Sequence, residues 1–135
     1  MLRHAETRAH KLAPGRYHLS VGDAYALAFP DASFDVVINN YMFDLLPEKD
    51  FALVLAEFRR VLRPSGRLVL VNLAKGASWQ HKLWDTVYRI RPSLLGGCRG
   101  VALTSPLERA GFTDIQRDLV YQCGFASEII GAVQR

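Results

Sequence analysis

Two short apolar runs, Phe34 to Asn39 and Arg67 to Asn72, constrain this chain more than any other feature. Each is rich in Val, Ile or Leu and too brief for a helix, as expected of strands buried on both faces of a parallel sheet. Between them Phe51, Val54, Leu55, Phe58, Val61 and Leu62 recur at helical spacing, ending at Arg63-Pro64-Ser65-Gly66. A strand, a helix and a second strand in that order predict a right-handed crossover between parallel neighbours, hence an α/β fold.

The flanking segments extend the pattern. Leu2, Ala5, Ala9 and Leu12 predict an amphipathic helix over residues 1 to 13, stopped by Pro14-Gly15. Tyr17, Leu19 and Val21 alternate with polar residues and predict a strand over 17 to 22, and 24 to 33 reads as a loop. Trp79, Leu83, Val87 and Ile90 suggest another helix, closed by Pro92 and the loop Gly96 to Gly100. Ser105 as N-cap, Pro106 at the first helical position and Glu108 predict a short helix that Gly111 terminates. Residues 112 to 122 and 127 to 134 read as an antiparallel strand pair at the sheet edge.

Bulk properties narrow the function classes. The chain has 135 residues, half of them hydrophobic, enough for one domain with a real core and against disorder. Its net charge is +4, but the 17 Lys and Arg are dispersed, which argues against nucleic-acid binding. No run reaches the length of a membrane span. Cys98 and Cys123 stand alone in the sequence, as in a soluble, reduced cytoplasmic protein, and the four histidines lack metal-site spacing.

The run Gly22-Asp23-Ala24, Leu27, Phe29-Pro30-Asp31, Ser33-Phe34-Asp35, followed by Val36-Val37-Ile38, resembles the middle of a class I S-adenosylmethionine-dependent methyltransferase of the ubiquinone/menaquinone-biosynthesis type. Leu62-Arg63-Pro64-Ser65-Gly66-Arg67-Leu68 is similar to that family's next landmark. The resemblance runs to the C-terminus and implies a Rossmann-like parallel sheet ending in a C-terminal antiparallel strand pair. The family's glycine-rich turn and ribose-binding acidic residue have no counterpart, so the expectation is a single domain over 1 to 135 that corresponds to the C-terminal two-thirds of the family fold. It would lack the first two family strands, leave central strand edges open and bind S-adenosylmethionine poorly alone.

Ligands of open α/β sheets bind beyond the carboxyl ends of the strands. The resemblance implies that Asp23 accepts from the adenine amine, that Ala24 presents a backbone N–H to the ring, and that Asn40 lies near the methionine portion. Asn39, Tyr41 and Phe43 would line the side of a small-molecule methyl acceptor, a quinone precursor or lipid-like compound among the candidates. Asp44 is the one nearby group able to act as a base. Each has a plain structural alternative: a strand-to-turn ending at Asp23-Ala24, an Asx turn at Asn40, and capping of the following helix by Asp44. Asp35, at the start of its strand, is expected to make local hydrogen bonds only. The function classes left open are a methyltransferase, complete only with a further segment or complementing chain, and a non-catalytic interaction domain that pairs through an open sheet edge, as a homo-oligomer or with another chain.

Overall fold

A computed structural model describes residues 6–8, 15–74, 100–122 and 125–135. Its sheet has four strands: β1 (Phe34–Asn40), β2 (Leu62–Leu73), β3 (Phe112–Gln122) and β4 (Phe125–Gln134), in the spatial order β1-β2-β4-β3. β1 and β2 are parallel and joined through helix α1 (Phe51–Val61), which a single 3-10 turn (Glu48–Asp50) precedes. β4 runs antiparallel to both β2 and β3, so the parallel pair passes into the expected C-terminal antiparallel pair.

Register decides which face is the core. Val37 lies opposite Leu68 and Asn39 opposite Leu70, while Leu68 and Leu70 face Ala132 and Ile130 across the β2–β4 ladder. These positions share one face of the sheet by strand alternation. Against it packs the apolar stripe of α1, with Phe51, Val54, Leu55 and Phe58 buried, as their spacing predicts. The second helix, α2 (Thr104–Arg109), adds Leu107 to the same core, beside Val101 and Leu103.

The expected strand at 17 to 22 is absent: these residues adopt no regular structure, and Val21 is 83 % exposed. Alternation alone does not make a strand, because the backbone needs a neighbour to pair with. The turn expected at Arg63 to Gly66 is instead an irregularity inside β2, where the register jumps from Phe34–Leu62 to Val36–Arg67. Ser65 takes a left-handed φ of 64°, and a Cβ on Gly66 would stand 2.7 Å from the Arg63 carbonyl oxygen, so only glycine fits there.

At α2 the N-cap is Leu103, without a side-chain cap, in place of the expected Ser105; Gly111, at φ +85°, does end the helix. Residues 6 to 8 are helical, and the remainder of the expected N-terminal helix lies outside the described residues, as do the expected helix at 79–90 and loop residues 96–99.

Candidate functional site

The loop that enters β1 is laid along α1 in the same direction as the helix. Tyr25 Oη donates to Asp50 Oδ2 at 3.0 Å, just ahead of the first turn of α1. Further down, Leu27 N–H donates to Glu57 Oε2 at 2.9 Å, and Arg60 reaches the Leu27 and Phe29 carbonyls and Asp31. Ala32 N–H and Ser33 N–H then donate to the Arg60 and Val61 carbonyls before the chain turns into β1. Because α1 starts at the carboxyl end of β1, this descent leaves Asp23 and Ala24 at that same end of the sheet.

Asp23 forms a tight turn there. Its Oδ1 accepts the Tyr25 N–H at 2.9 Å and its carbonyl accepts the Ala26 N–H at 3.2 Å, so part of the plain-turn alternative is realised. Among the described residues Asp23 Oδ2 has no partner, and Asp23 is exposed. Ala24 is half-buried against the core and lines a groove of about 380 Å³ with Gly22, Leu27, Val37, Ile38, Asn39 and Met42.

The end of β1 brings a second group to this place. Asn39 is half-buried on the core face; its Nδ2 lies 3.5 Å from Met42 Sδ, and its Oδ1 is buried without a partner among the described residues. Asn40 is exposed and pairs with Val71 in the ladder. Tyr41 sits at φ 57°, its N–H donating to the Val71 carbonyl at 2.7 Å, and its hydroxyl is hydrogen-bonded to Ser127 Oγ at 2.9 Å.

That left-handed residue turns the following chain under the sheet. Phe43, expected on the acceptor side, is therefore wholly buried in the core, its ring 5.1 Å from Phe51 and 6.1 Å from Phe58 in edge-to-face packing. Asp44 does not cap α1, whose N-cap is Asp50. It is wholly buried, and its carboxylate accepts the Leu73 N–H at the end of β2. Burial pushes the Asp44 carboxyl up to about 6, against the opposing pull of the Leu73 N–H.

Beyond these residues, beside Asn72 at the expected carboxyl end of its strand, lies Glu128, which sequence reasoning passed over. Asn72 and Glu128 are cross-strand partners, both buried; among the described residues the Asn72 amide and Glu128 Oε2 have no hydrogen-bond partner. The other Glu128 oxygen pairs with Arg117. An acid beside Ile129-Ile130 in a strand was the available signal. Asp35, by contrast, lies at the opposite end of β1, away from the site, and in place of the expected local hydrogen bonds forms an ion pair with Arg63, 28 residues on. Among the described residues no group of three or more His, Cys, Asp or Glu is placed to hold a metal ion, and no helix is long and apolar enough to cross a membrane.

Comparison with known proteins places this geometry in a family. A family model described as a methyltransferase domain matches residues 1–70. The ubiquinone/menaquinone biosynthesis C-methyltransferase UbiE of Paraburkholderia xenovorans (strain LB400) is 38 % identical over 68 residues, covering 50 % of this chain and 24 % of that protein. The chain thus spans about a quarter of the length of such curated relatives, 24 % in this case.

Among solved structures, a SAM-dependent methyltransferase from Methanosarcina mazei superposes with a TM-score of 0.74 at 20 % identity, over 98 % of this chain and 76 % of that one. Magnesium protoporphyrin IX methyltransferase from Synechocystis PCC 6803, solved with bound SAH, gives 0.75 at 16 % identity, over 100 % and 60 %. These two likenesses establish a Rossmann-like methyltransferase fold. With the match over residues 1–70, the chain belongs to the methyltransferase domain family.

Proposed function

We propose that this chain works in S-adenosylmethionine-dependent methyl transfer to a small-molecule acceptor, with the site at the carboxyl ends of β1 and β2. The observation that carries the reading is the placement of the Asp23-Ala24 turn, which the loop's bonds along α1 hold beside the end of β1. The donor set fits the cofactor: an open carboxylate oxygen on Asp23 suits an exocyclic amine, the half-buried Ala24 leaves room for a flat ring, and the orphaned Asn39 Oδ1 invites a donor.

Asp23 and Ala24 hold the adenine, and Asn40 holds the methionine portion. When bound, S-adenosylmethionine supplies the electrophilic methyl group. Asn39 and Tyr41 orient the acceptor, and Phe43 supports them from the core without touching it. Asp44, wholly buried in this structure, serves as the base for the acceptor's proton once the turn after β1 opens to it: with its carboxyl near 6 it is ionised at neutral pH yet more basic than an exposed aspartate. Positioning and exclusion of water do most of the rest. A quinone precursor or lipid-like acceptor is supported by the likeness to the UbiE protein. Residues 1–135 then act as one domain in the cytoplasm.

The test is a titration of isotopically labelled protein with S-adenosylhomocysteine, followed by amide chemical shifts. Shifts confined to Asp23–Ala26 and Asn39–Tyr41 are expected; none at millimolar ligand, or shifts only elsewhere, would sink the reading.

One observation favours a second reading, a non-catalytic interaction domain. β1 is an edge strand among the described residues, with Val36 46 % and Ile38 66 % exposed, and an open apolar edge is a template for another chain. Sedimentation distinguishes the two: a stable homo-oligomer, or a complex with a complementing chain, that persists without any cofactor response supports this alternative.

A further inference from the structure

We infer that Glu57 and Arg60 form a positioning clamp for the loop that carries Asp23 and Ala24, an inference that rests on the adenine-side reading of those two residues. Glu57 and Arg60 stand three apart on α1 and so share a face of the helix. The Arg60 guanidinium spends every one of its N–H donors. Nε donates to Glu57 Oε1 and Nη2 to Glu57 Oε2, both at 2.9 Å. Nη2 also donates to the Leu27 carbonyl at 2.9 Å, while Nη1 donates to the Phe29 carbonyl at 2.8 Å and to Asp31 Oδ1 at 2.7 Å. Glu57 Oε2 meanwhile accepts the Leu27 N–H. Leu27 is thus held by both of its backbone groups, three residues from Ala24, in a loop that has no ladder of its own.

The division of labour argues for positioning. α1 is already fastened to the sheet by Phe51, Val54, Leu55 and Phe58, so the helix does not need this network in order to dock. Half-exposed ion pairs contribute little to global stability. What the network does fix is the height of the loop along α1, and with it the distance of Asp23 and Ala24 from the end of β1. The planar fork of arginine matches two carbonyls and two carboxylates at once, which lysine cannot do. Arg60 holds the Glu57 carboxyl down to about 2, so Glu57 stays ionised and both of its oxygens remain acceptors at any physiological pH.

The experiment is an adenosine titration of the labelled chain and its Arg60→Gln, Glu57→Gln and Asp23→Ala variants, read by amide shifts, with hydrogen exchange at the Leu27 N–H and thermal melting measured alongside. Arg60→Gln is expected to weaken adenosine binding by about tenfold, to speed exchange at Leu27, and to leave melting nearly unchanged. Combined with Arg60→Gln, Asp23→Ala should cost less affinity than it does alone, since the misplaced turn has already lost the contact. Should Arg60→Gln fail to fold, Glu57→Gln, which keeps an oxygen for the Leu27 N–H, carries the test with a smaller loss of affinity. Wild-type affinity in both variants, or strictly additive losses with Asp23→Ala, would overturn the clamp. No response of the wild-type loop to adenosine would instead overturn the reading of Asp23 and Ala24, and the two failures are therefore told apart.

Discussion

The backbone N–H of Leu73 points between the two carboxylate oxygens of Asp44, 3.2 and 3.1 Å away. This one donor ties the turn after β1 to the end of β2. It is too little to keep a buried carboxyl at its ordinary acidity, and the group rises from 3.8 to about 6. A raised folded value means that the protonated form favours the fold. That stability is fully present below about 4 and is lost as the pH climbs through about 6. Asp44→Asn keeps an acceptor for Leu73 and removes the charge. Measured against Asp44→Asn, wild-type stability should therefore fall between these limits, by on the order of 2 to 3 kcal/mol, and then level off. Parallel melting curves from pH 4 to 8 check this; a constant difference would show that Asp44 does not titrate in that window.

Phe58 lies at the centre of the apolar packing, 5 % exposed and edge-on to Phe43. Phe58→Ala should cost about 3–5 kcal/mol in chemical denaturation, since the surrounding rings cannot close the gap. A loss of a few tenths would mean that α1 presents another face to the sheet.

Glycine positions offer a graded series. Gly66→Ala forces a methyl to within 2.7 Å of one backbone oxygen and 3.2 Å of another, that of Asp35, and should destabilise by about 2 kcal/mol or more. Gly22→Ala meets nothing within 4 Å and should change stability by less than about 0.5 kcal/mol. Equal effects at the two sites would contradict the close approach of β2 to itself.

Two aspartates separate binding from folding. In a protein completed by the further segment or complementing chain, Asp23→Ala should weaken S-adenosylmethionine affinity by about 1–3 kcal/mol, with unchanged melting. Asp35→Ala removes an exposed pair with Arg63, its side chain 76 % accessible, and should leave affinity intact while lowering stability by under about 1 kcal/mol. Calorimetric titration of both variants tests the split, and equal losses of affinity would undo it.

The fold was readable wherever one physical requirement acted alone. The α1 stripe follows from burial against a sheet, which periodicity reports directly; the strands at Phe34 and Leu68 lie where expected, but β1 is half-buried on one face only, with Val36 and Ile38 exposed on the other. Leu19 and Val21 carry a strand's alternation, yet among the described residues no strand lies beside them, and pairing is a property of the neighbour rather than of the segment. Phe43 was misplaced for a related reason. A residue just past a strand end points toward the site if the backbone continues straight, but Tyr41 adopts a left-handed conformation and swings Phe43 below the sheet. Glu57 and Arg60 carry no mark of their role in the sequence. Their partners are backbone atoms of Leu27 and Phe29, about 30 residues away, and sequence patterns are silent on backbone partners at that range.

Strand order also dictates when the sheet can exist. Among the described strands, β3 is made before β4 but pairs with β4 alone, and β4 is what joins it to β2. Until that last strand is available, β3 has no ladder to enter, whereas β1, α1 and β2 form a unit from consecutive residues. Folding should therefore proceed in two stages, an early crossover and a late insertion of β4. During synthesis the interval between them leaves one side of β2 and the whole of β3 exposed to other chains.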